Sequence, residues 1–278
     1  MPPTAPQKSS RLVWARRARI AGVSIAAAYL ALLAAVGLGY RWFLYPAKRA
    51  EREPDTRTAK LVRIEHPGEP TVFALHAVAP SASAPTLVMF HGNGEDLADE
   101  AKTVDAFAKL GVGVFAVEYP GYGLARAQRA TEASIYRAAE IAIAHLDELG
   151  VDRSQRVVVG FSLGSGVAVE MAARGLASRL VVLAPYTSIP AMVGRFVPIV
   201  PVDWLVGDKF DSLSKAPRVD VPALVVHGDA DALIPVGMGE RLARALPNAT
   251  LHVVRGAHHN DLYAVEPALR ETIVAFTR

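Results

Sequence analysis

The sequence predicts an α/β fold, a mostly parallel sheet with helices on both faces, preceded by one transmembrane helix. Three observations lead there. From Lys60 onward, strand-like and helix-like segments alternate. The strand-like runs are short and rich in Val, Leu and Phe, as strands buried on both faces should be. Ile20–Tyr40 reads IAGVSIAAAYLALLAAVGLGY, 21 residues without a charge.

That apolar stretch comes first in the chain. At about 1.5 Å per residue it matches the roughly 30 Å hydrocarbon core of a bilayer. Lys8, Arg11, Arg16, Arg17 and Arg19 precede it with no acid among them, which predicts a basic cytoplasmic N-terminus over residues 1–19. Tyr40, Trp42 and Tyr45 are expected at the far interface as an aromatic belt. The competing reading is a cleaved signal peptide and a secreted protein. The apolar region of a signal peptide runs only about 7–15 residues, so an uncleaved single-pass anchor over 20–40 is preferred. The remainder of the chain then lies outside the cytoplasm. Residues 41–59, containing PAKRAEREPDTRT, read as a polar linker, and residues 60–278 as one catalytic-sized domain.

Composition narrows the function. Residues 1–57 carry a net charge of +7 and the rest of the chain −4, so the overall +3 comes from the N-terminal piece. A nucleic-acid surface on the main domain is not supported. The chain has no cysteine, which removes disulfides, thiolate metal sites and a cysteine nucleophile.

The strand candidates are 61–65, 71–78, 86–90, 112–118, 156–161, 180–183, 223–227 and 250–254. The first two have no helix between them, so the sheet should begin with an antiparallel hairpin. In TEASIYRAAEIAIAHLDEL the apolar positions Ile135, Ala138, Ala139, Ala142, Leu146 and Leu149 make a helical stripe, with Thr131 as N-cap and Gly150 as stop.

The chemistry falls at strand ends. Gly160-Phe161-Ser162-Leu163-Gly164 is a G-x-S-x-G between a β-branched run and a helical stretch. A strand–turn–helix of this kind pushes a serine out beside a helix N-terminus, and residues two away on either side must be small. A serine nucleophile needs a base and donors for a developing oxyanion. LVMFHGNGEDL runs from a strand into His91-Gly92-Asn93-Gly94, so the backbone N–H groups of Asn93 and Leu163 are assigned as those donors. His91 precedes the serine and reads as a structural residue at the strand end. ALVVHGDADALIP offers Asp229 and Asp231 as the acid, and LHVVRGAHHND offers His258 and His259 as the base. The order Ser…Asp…His, each at the C-terminal end of an expected parallel strand, is that of an acyl-transfer site.

Taken together these motifs resemble the α/β-hydrolase superfamily, and within it the small membrane-anchored α/β-hydrolase-domain proteins. The resemblance rests on His91–Gly94, Tyr119-Pro120-Gly121-Tyr122-Gly123, Gly160–Gly164, His227-Gly228-Asp229-Ala230-Asp231 with Pro235, and Gly256–Asp261. It spans about residues 60–278. It implies an eight-stranded, mostly parallel sheet and a serine hydrolase that uses no cofactor and no metal. It also implies a choice within each pair: Asp231 as the acid, with Asp229 fixing its turn, and His259 as the base. His258 then stands where relatives commonly have glycine, in a tight or left-handed turn, and Asp261 caps the final helix. The chain departs from the subgroup at Leu124-Ala125, at Ala130-Thr131-Glu132 and at Ser165, none of which belongs to the expected triad.

The expected activity is therefore cleavage of acyl esters or thioesters by Ser162, His259 and Asp231 through an acyl-enzyme. Residues 184–222 are too few for a large cap domain, but Phe196, Val197, Ile199, Val200, Trp204, Leu205 and Val206 make them apolar. With the anchor, this points to a small-molecule or lipid-like ester substrate; the plainer reading is packing over the sheet edge. The alternatives are a serine peptidase or amidase of the same fold, and a non-catalytic binding protein.

Overall fold

The computed structural model describes residues 8–46 and 53–278. The start of the expected N-terminal segment, residues 1–7, and residues 47–52 of the expected linker lie outside the described residues.

Eight strands form one sheet: β1 (Lys60–Ile64), β2 (Val72–Ala77), β3 (Thr86–Phe90), β4 (Gly113–Val117), β5 (Arg156–Phe161), β6 (Arg179–Leu183), β7 (Ala223–Gly228) and β8 (Ala249–Val254). Their order is β1-β2-β4-β3-β5-β6-β7-β8. β2 runs antiparallel to both β1 and β4, and every other pair is parallel. The hairpin arises because only seven residues, with the turn at His66–Glu69, separate β1 from β2, too few for the crossover a parallel pair needs.

The helices are α1 (Lys8–Leu44), α2 (Leu97–Lys109), α3 (Glu132–Glu148), α4 (Leu163–Ala173), α5 (Ile189–Val193), α6 (Val202–Leu205), α7 (Ser212–Lys215), α8 (Val236–Ala245), α9 (Leu262–Val265) and α10 (Leu269–Phe276). Both faces of the sheet are covered. On β3, Val88 and Phe90 face a core shared with α3, α4 and α8, while Leu87 and Met89 face one shared with α2, α9 and α10. All five residues of β3 are buried, which is why the run reads as continuously apolar. Thr131 caps α3, accepting from the Ser134 N–H while the Ser134 hydroxyl accepts from Thr131 N–H. The expected stripe of α3 is buried through Leu146, but Leu149 is exposed because the helix has already ended at Glu148.

The N-terminal helix is long and apolar enough to cross a membrane, with a mean hydropathy of 2.1 in its most apolar window. It does not end in a free tether. Its last turns lie against the domain: Leu44 and Tyr45 are buried in the core of the α3/α4 face. Asp208, 5% exposed, accepts from Arg41 Nε at 2.8 Å and from the Tyr40 hydroxyl at 3.0 Å, while its other oxygen accepts from the Glu132 N–H at 3.0 Å. Higher up, the Tyr29 hydroxyl donates to the Ile199 carbonyl at 2.8 Å. Of the three aromatics expected in an interfacial belt, only Trp42 is left exposed; Tyr40 is held by Asp208 and Tyr45 is buried. The belt expectation treated the helix as leaving the membrane alone, whereas the domain packs onto its end. Beyond the undescribed stretch, Thr56 and Thr58 donate to Asp105, which also accepts the N–H groups of Arg57 and Thr58.

Candidate active site

A tight bend in the backbone joins β5 to α4. Ser162 sits there with φ 49° and ψ −114°, a left-handed conformation that costs a residue with a Cβ of order 1–3 kcal/mol. Its neighbours make the bend possible. A Cβ on Gly160 would lie 2.2 Å from the Gly164 carbonyl oxygen, and one on Gly164 would lie 2.0 Å from the carbonyl oxygen of Phe90. Only glycine lets β3, β5 and α4 approach this closely. The Ser162 N–H donates to the Leu183 carbonyl at 3.0 Å, which pins the bend to β6.

The side chains singled out in the sequence meet at this bend. His259 Nε2 lies 3.0 Å from Ser162 Oγ, and His259 Nδ1 lies 2.7 Å from Asp231 Oδ2. With Asp231 ionised, Nδ1–H donates to the carboxylate and Nε2 is left to accept the serine proton. The Phe161 ring packs against the imidazole, centroids 5.3 Å apart. Asp231 Oδ1 accepts from the N–H groups of Leu233 and Ile234 at 2.9 and 2.8 Å. Burial opposes ionisation of Asp231, but hydrogen bonds from His227, His259 and the Ile234 N–H outweigh it and hold its carboxyl below the usual carboxylate range.

Asp229 and His258 point elsewhere. Asp229 accepts from the Gly256 N–H at 2.6 Å, tying the turn after β7 to the turn after β8. His258 is exposed, and its Nδ1 donates to the Ala230 carbonyl at 2.9 Å. The left-handed residue in this turn is Gly256, φ 75°, and not His258, because the chain has already turned before the histidine pair. Asp261 stands at the N-cap of α9, yet its carboxylate accepts from the His258 N–H at 2.6 Å and makes no helix-capping bond. It therefore closes the histidine turn instead of capping the final helix, α10.

Among the described residues, the N–H groups of Asn93 and Leu163, the expected oxyanion donors, are not committed to a protein acceptor. Leu163 opens α4, where N–H groups are unpaired by construction and the helix dipole is positive. The Asn93 side chain accepts from the Tyr122 hydroxyl at 2.7 Å, which fixes its loop. His91 does not touch the serine. Buried between Tyr119 and Tyr122, it reaches the Gly92 carbonyl with Nδ1 at 2.9 Å and Glu118 with Nε2 at 3.1 Å. Burial works against a charge on this ring, but Glu118 and the Gly92 carbonyl raise its pKa above the ordinary value. Among the described residues, no three His, Asp or Glu side chains gather in a way that could hold a metal ion.

Two supports were not legible as such in the sequence. His227, fully buried, donates from Nε2 to the Ile234 carbonyl at 2.8 Å and lies 3.5 Å from Asp231 Oδ2, so it props the acidic turn from beneath. The signal available in the sequence was a lone histidine closing the apolar run Ala223–Val226. Glu95 accepts from the Gly92 N–H at 2.6 Å and so shapes the loop that carries Asn93.

A cavity of about 190 Å³ has His259 in its wall, together with Glu95, Glu100, Thr103 and Tyr263. Burial, reinforced by the nearby Glu95 carboxylate, pushes the Glu100 pKa up to about 7. The unfolded chain ionises this group near pH 4.3. The folded chain therefore binds the extra proton, and stability falls as pH rises from about 4.3 to 7. Glu100→Gln should raise the unfolding free energy measured in urea at pH 8 by on the order of 1–3 kcal/mol, and leave it nearly unchanged near pH 4. An equal change at both pH values would mean that the titration of Glu100 is not the cause.

The comparisons agree with this architecture. The alpha/beta hydrolase family model matches residues 87–213, and a model for TAP-like proteins matches residues 200–278. Protein L404 of Acanthamoeba polyphaga mimivirus, which bears an alpha/beta hydrolase name, is 30% identical over 181 residues, 63% of this chain and 67% of its own length. Human alpha/beta hydrolase domain-containing protein 17B is 29% identical, with 81% of this chain and 78% of that protein covered. Among solved structures, the Pyrococcus furiosus esterase Pf2001 superposes with a TM-score of 0.64 at 17% identity, covering 82% of this chain and 98% of the esterase. Two Mycobacterium tuberculosis relatives at 31% identity are matched over 64% of their own length, so this chain spans just under two thirds of them. The chain belongs to the alpha/beta hydrolase family.

Proposed function

We propose that the protein is a membrane-tethered serine hydrolase that cleaves acyl esters or thioesters through a Ser162–His259–Asp231 triad. The observation that carries this reading is the position of His259, within hydrogen-bonding distance of Ser162 on one ring nitrogen and of Asp231 on the other. Ser162 is the nucleophile on a nucleophile elbow. His259 takes its proton as Oγ bonds to the acyl carbon, and Asp231 holds the ring in the right tautomer and stabilises the imidazolium. The negative charge that develops on the carbonyl oxygen is received by the N–H groups of Asn93 and Leu163. His259 then protonates the departing alcohol or thiol, and water, deprotonated by the same ring, releases the acid.

The single-pass topology expected from the basic N-terminus belongs to the same proposal, with α1 in the bilayer and the hydrolase domain on the extracytoplasmic side. A fluorophosphonate probe, which phosphonylates an activated serine, tests the chemistry. The full chain should label, and Ser162→Ala should abolish labelling with its melting temperature kept. Equal labelling of the two would remove Ser162 as nucleophile, and no labelling of either would favour a non-catalytic binding protein.

A further inference from the structure

A second cavity, of about 470 Å³, lies between the end of α1 and the segment that follows β6. Its size is within the range of about 300–1,000 Å³ found for small-molecule sites. One wall is the N-terminal helix, with Val36, Tyr40 and Leu44; the other is the α5–α6 region, with Ile189, Met192 and Val206. The lining side chains are apolar apart from Asn93 and the Tyr40 hydroxyl, and that hydroxyl is bonded to Asp208. The cavity thus adjoins the residue whose free N–H is assigned above to the oxyanion. Its outer flank is apolar as well. Phe196, Ile199 and Trp204 of the same segment are 64, 69 and 90% exposed, and Ile199 is bonded to Tyr29 in the middle of α1. A segment that is apolar toward the cavity and toward solvent, strapped to the middle of an apolar helix, is suited to sink into the apolar margin of a bilayer.

We infer that this cavity holds the acyl chain of a membrane-resident ester or thioester, and that the anchor helix is one of its walls. The inference rests on the serine-hydrolase reading and names its substrate class. A chain lying along α1 exchanges bilayer for a protein surface of equal apolarity, so the favourable term is dispersion contact and the fixed placement of the carbonyl beside Asn93. The anchor then takes part in selecting substrate, beyond localising the enzyme.

The test uses the full chain in detergent micelles or nanodiscs. A fluorophosphonate with a long alkyl chain and a diazirine at its tip labels the protein and is then photolysed, and the cross-link is mapped by mass spectrometry. Cross-links within Leu32–Leu44 or Ile189–Val206 are expected. Cross-links at Leu262 or Tyr263, in the smaller cavity that His259 also lines, would overturn the assignment while leaving the hydrolase reading intact. Failure of both this probe and a short fluorophosphonate to label would overturn the two together. Independently, Val36→Trp should lower the ratio of kcat/KM for p-nitrophenyl palmitate over p-nitrophenyl acetate by about tenfold or more. Leu30→Trp, on an exposed position of the same helix, should leave that ratio unchanged. An unchanged ratio in a folded Val36→Trp protein would also overturn the proposal.

Discussion

His259→Ala should lower kcat for ester hydrolysis by about 10⁴-fold or more and abolish fluorophosphonate labelling, while His258→Ala should keep both within a few-fold. The two residues are adjacent and chemically identical, so the difference must come from position. His259 bridges Ser162 and Asp231 at 3.0 and 2.7 Å. Removing it leaves the serine without a proton acceptor and the Asp231 carboxylate without one of its hydrogen-bond donors. His258 points out of the site, and its loss removes one exposed hydrogen bond to the Ala230 carbonyl, worth about 0.5–1.5 kcal/mol at most. Steady-state kinetics on a short p-nitrophenyl ester, with circular dichroism to confirm folding, decides between them. Comparable losses in the two variants would sink the assignment of His259 as base.

The second large effect concerns a residue with no chemistry. Gly164→Ala should destabilise the domain by about 1–3 kcal/mol and abolish labelling in whatever fraction stays folded. Its new Cβ would meet the Phe90 carbonyl at 2.0 Å, against backbone that cannot swing aside. Either α4 retreats from β3 or β3 retreats from α4. Both movements separate Ser162 and Leu163 on one element from the Asn93 loop on the other. Gly237→Ala is the matched comparison: nothing lies within 4 Å of the added atom, and the site is in the first turn of α8. It should be neutral or stabilising by about 0.4–1 kcal/mol. Urea denaturation and probe labelling rates on both variants check the contrast, and a Gly164→Ala protein of wild-type stability and labelling rate would refute it.

Local patterns made most of the sheet legible. Runs such as Thr86–Phe90 and Arg156–Phe161 announce themselves by composition, because a strand buried on both faces has no polar side to blur the signal. The hairpin followed from a missing helix. Ser162, Asp231 and His259 could be picked out because each closes a strand at the same edge of a parallel sheet, and motif spacing then chose between neighbours. Other features were beyond any local pattern. Asp208 stands in the loop Val206–Lys209 with nothing around it to mark it, yet its partners are 167 and 168 residues away. Contacts of that separation leave no periodicity. The same is true of the cavity walled by α1, since an apolar helix reads as a membrane span whether or not a domain leans on it. At His258 the limit is different: the turn takes its left-handed residue two positions earlier, at Gly256, and spacing alone does not say which residue absorbs the reversal.

The clamp at Asp208 joins Arg41 and Tyr40 of α1 to the first N–H of α3. A domain on a slack leash sweeps a hemisphere and meets its substrate in any orientation. One bolted at the root of its anchor has a single azimuth and a single height above the bilayer plane. On the tethered reading, Ser162 then patrols one stratum. Bonds at that depth are met by lateral diffusion in two dimensions, and bonds held higher or lower are out of reach whatever their chemistry.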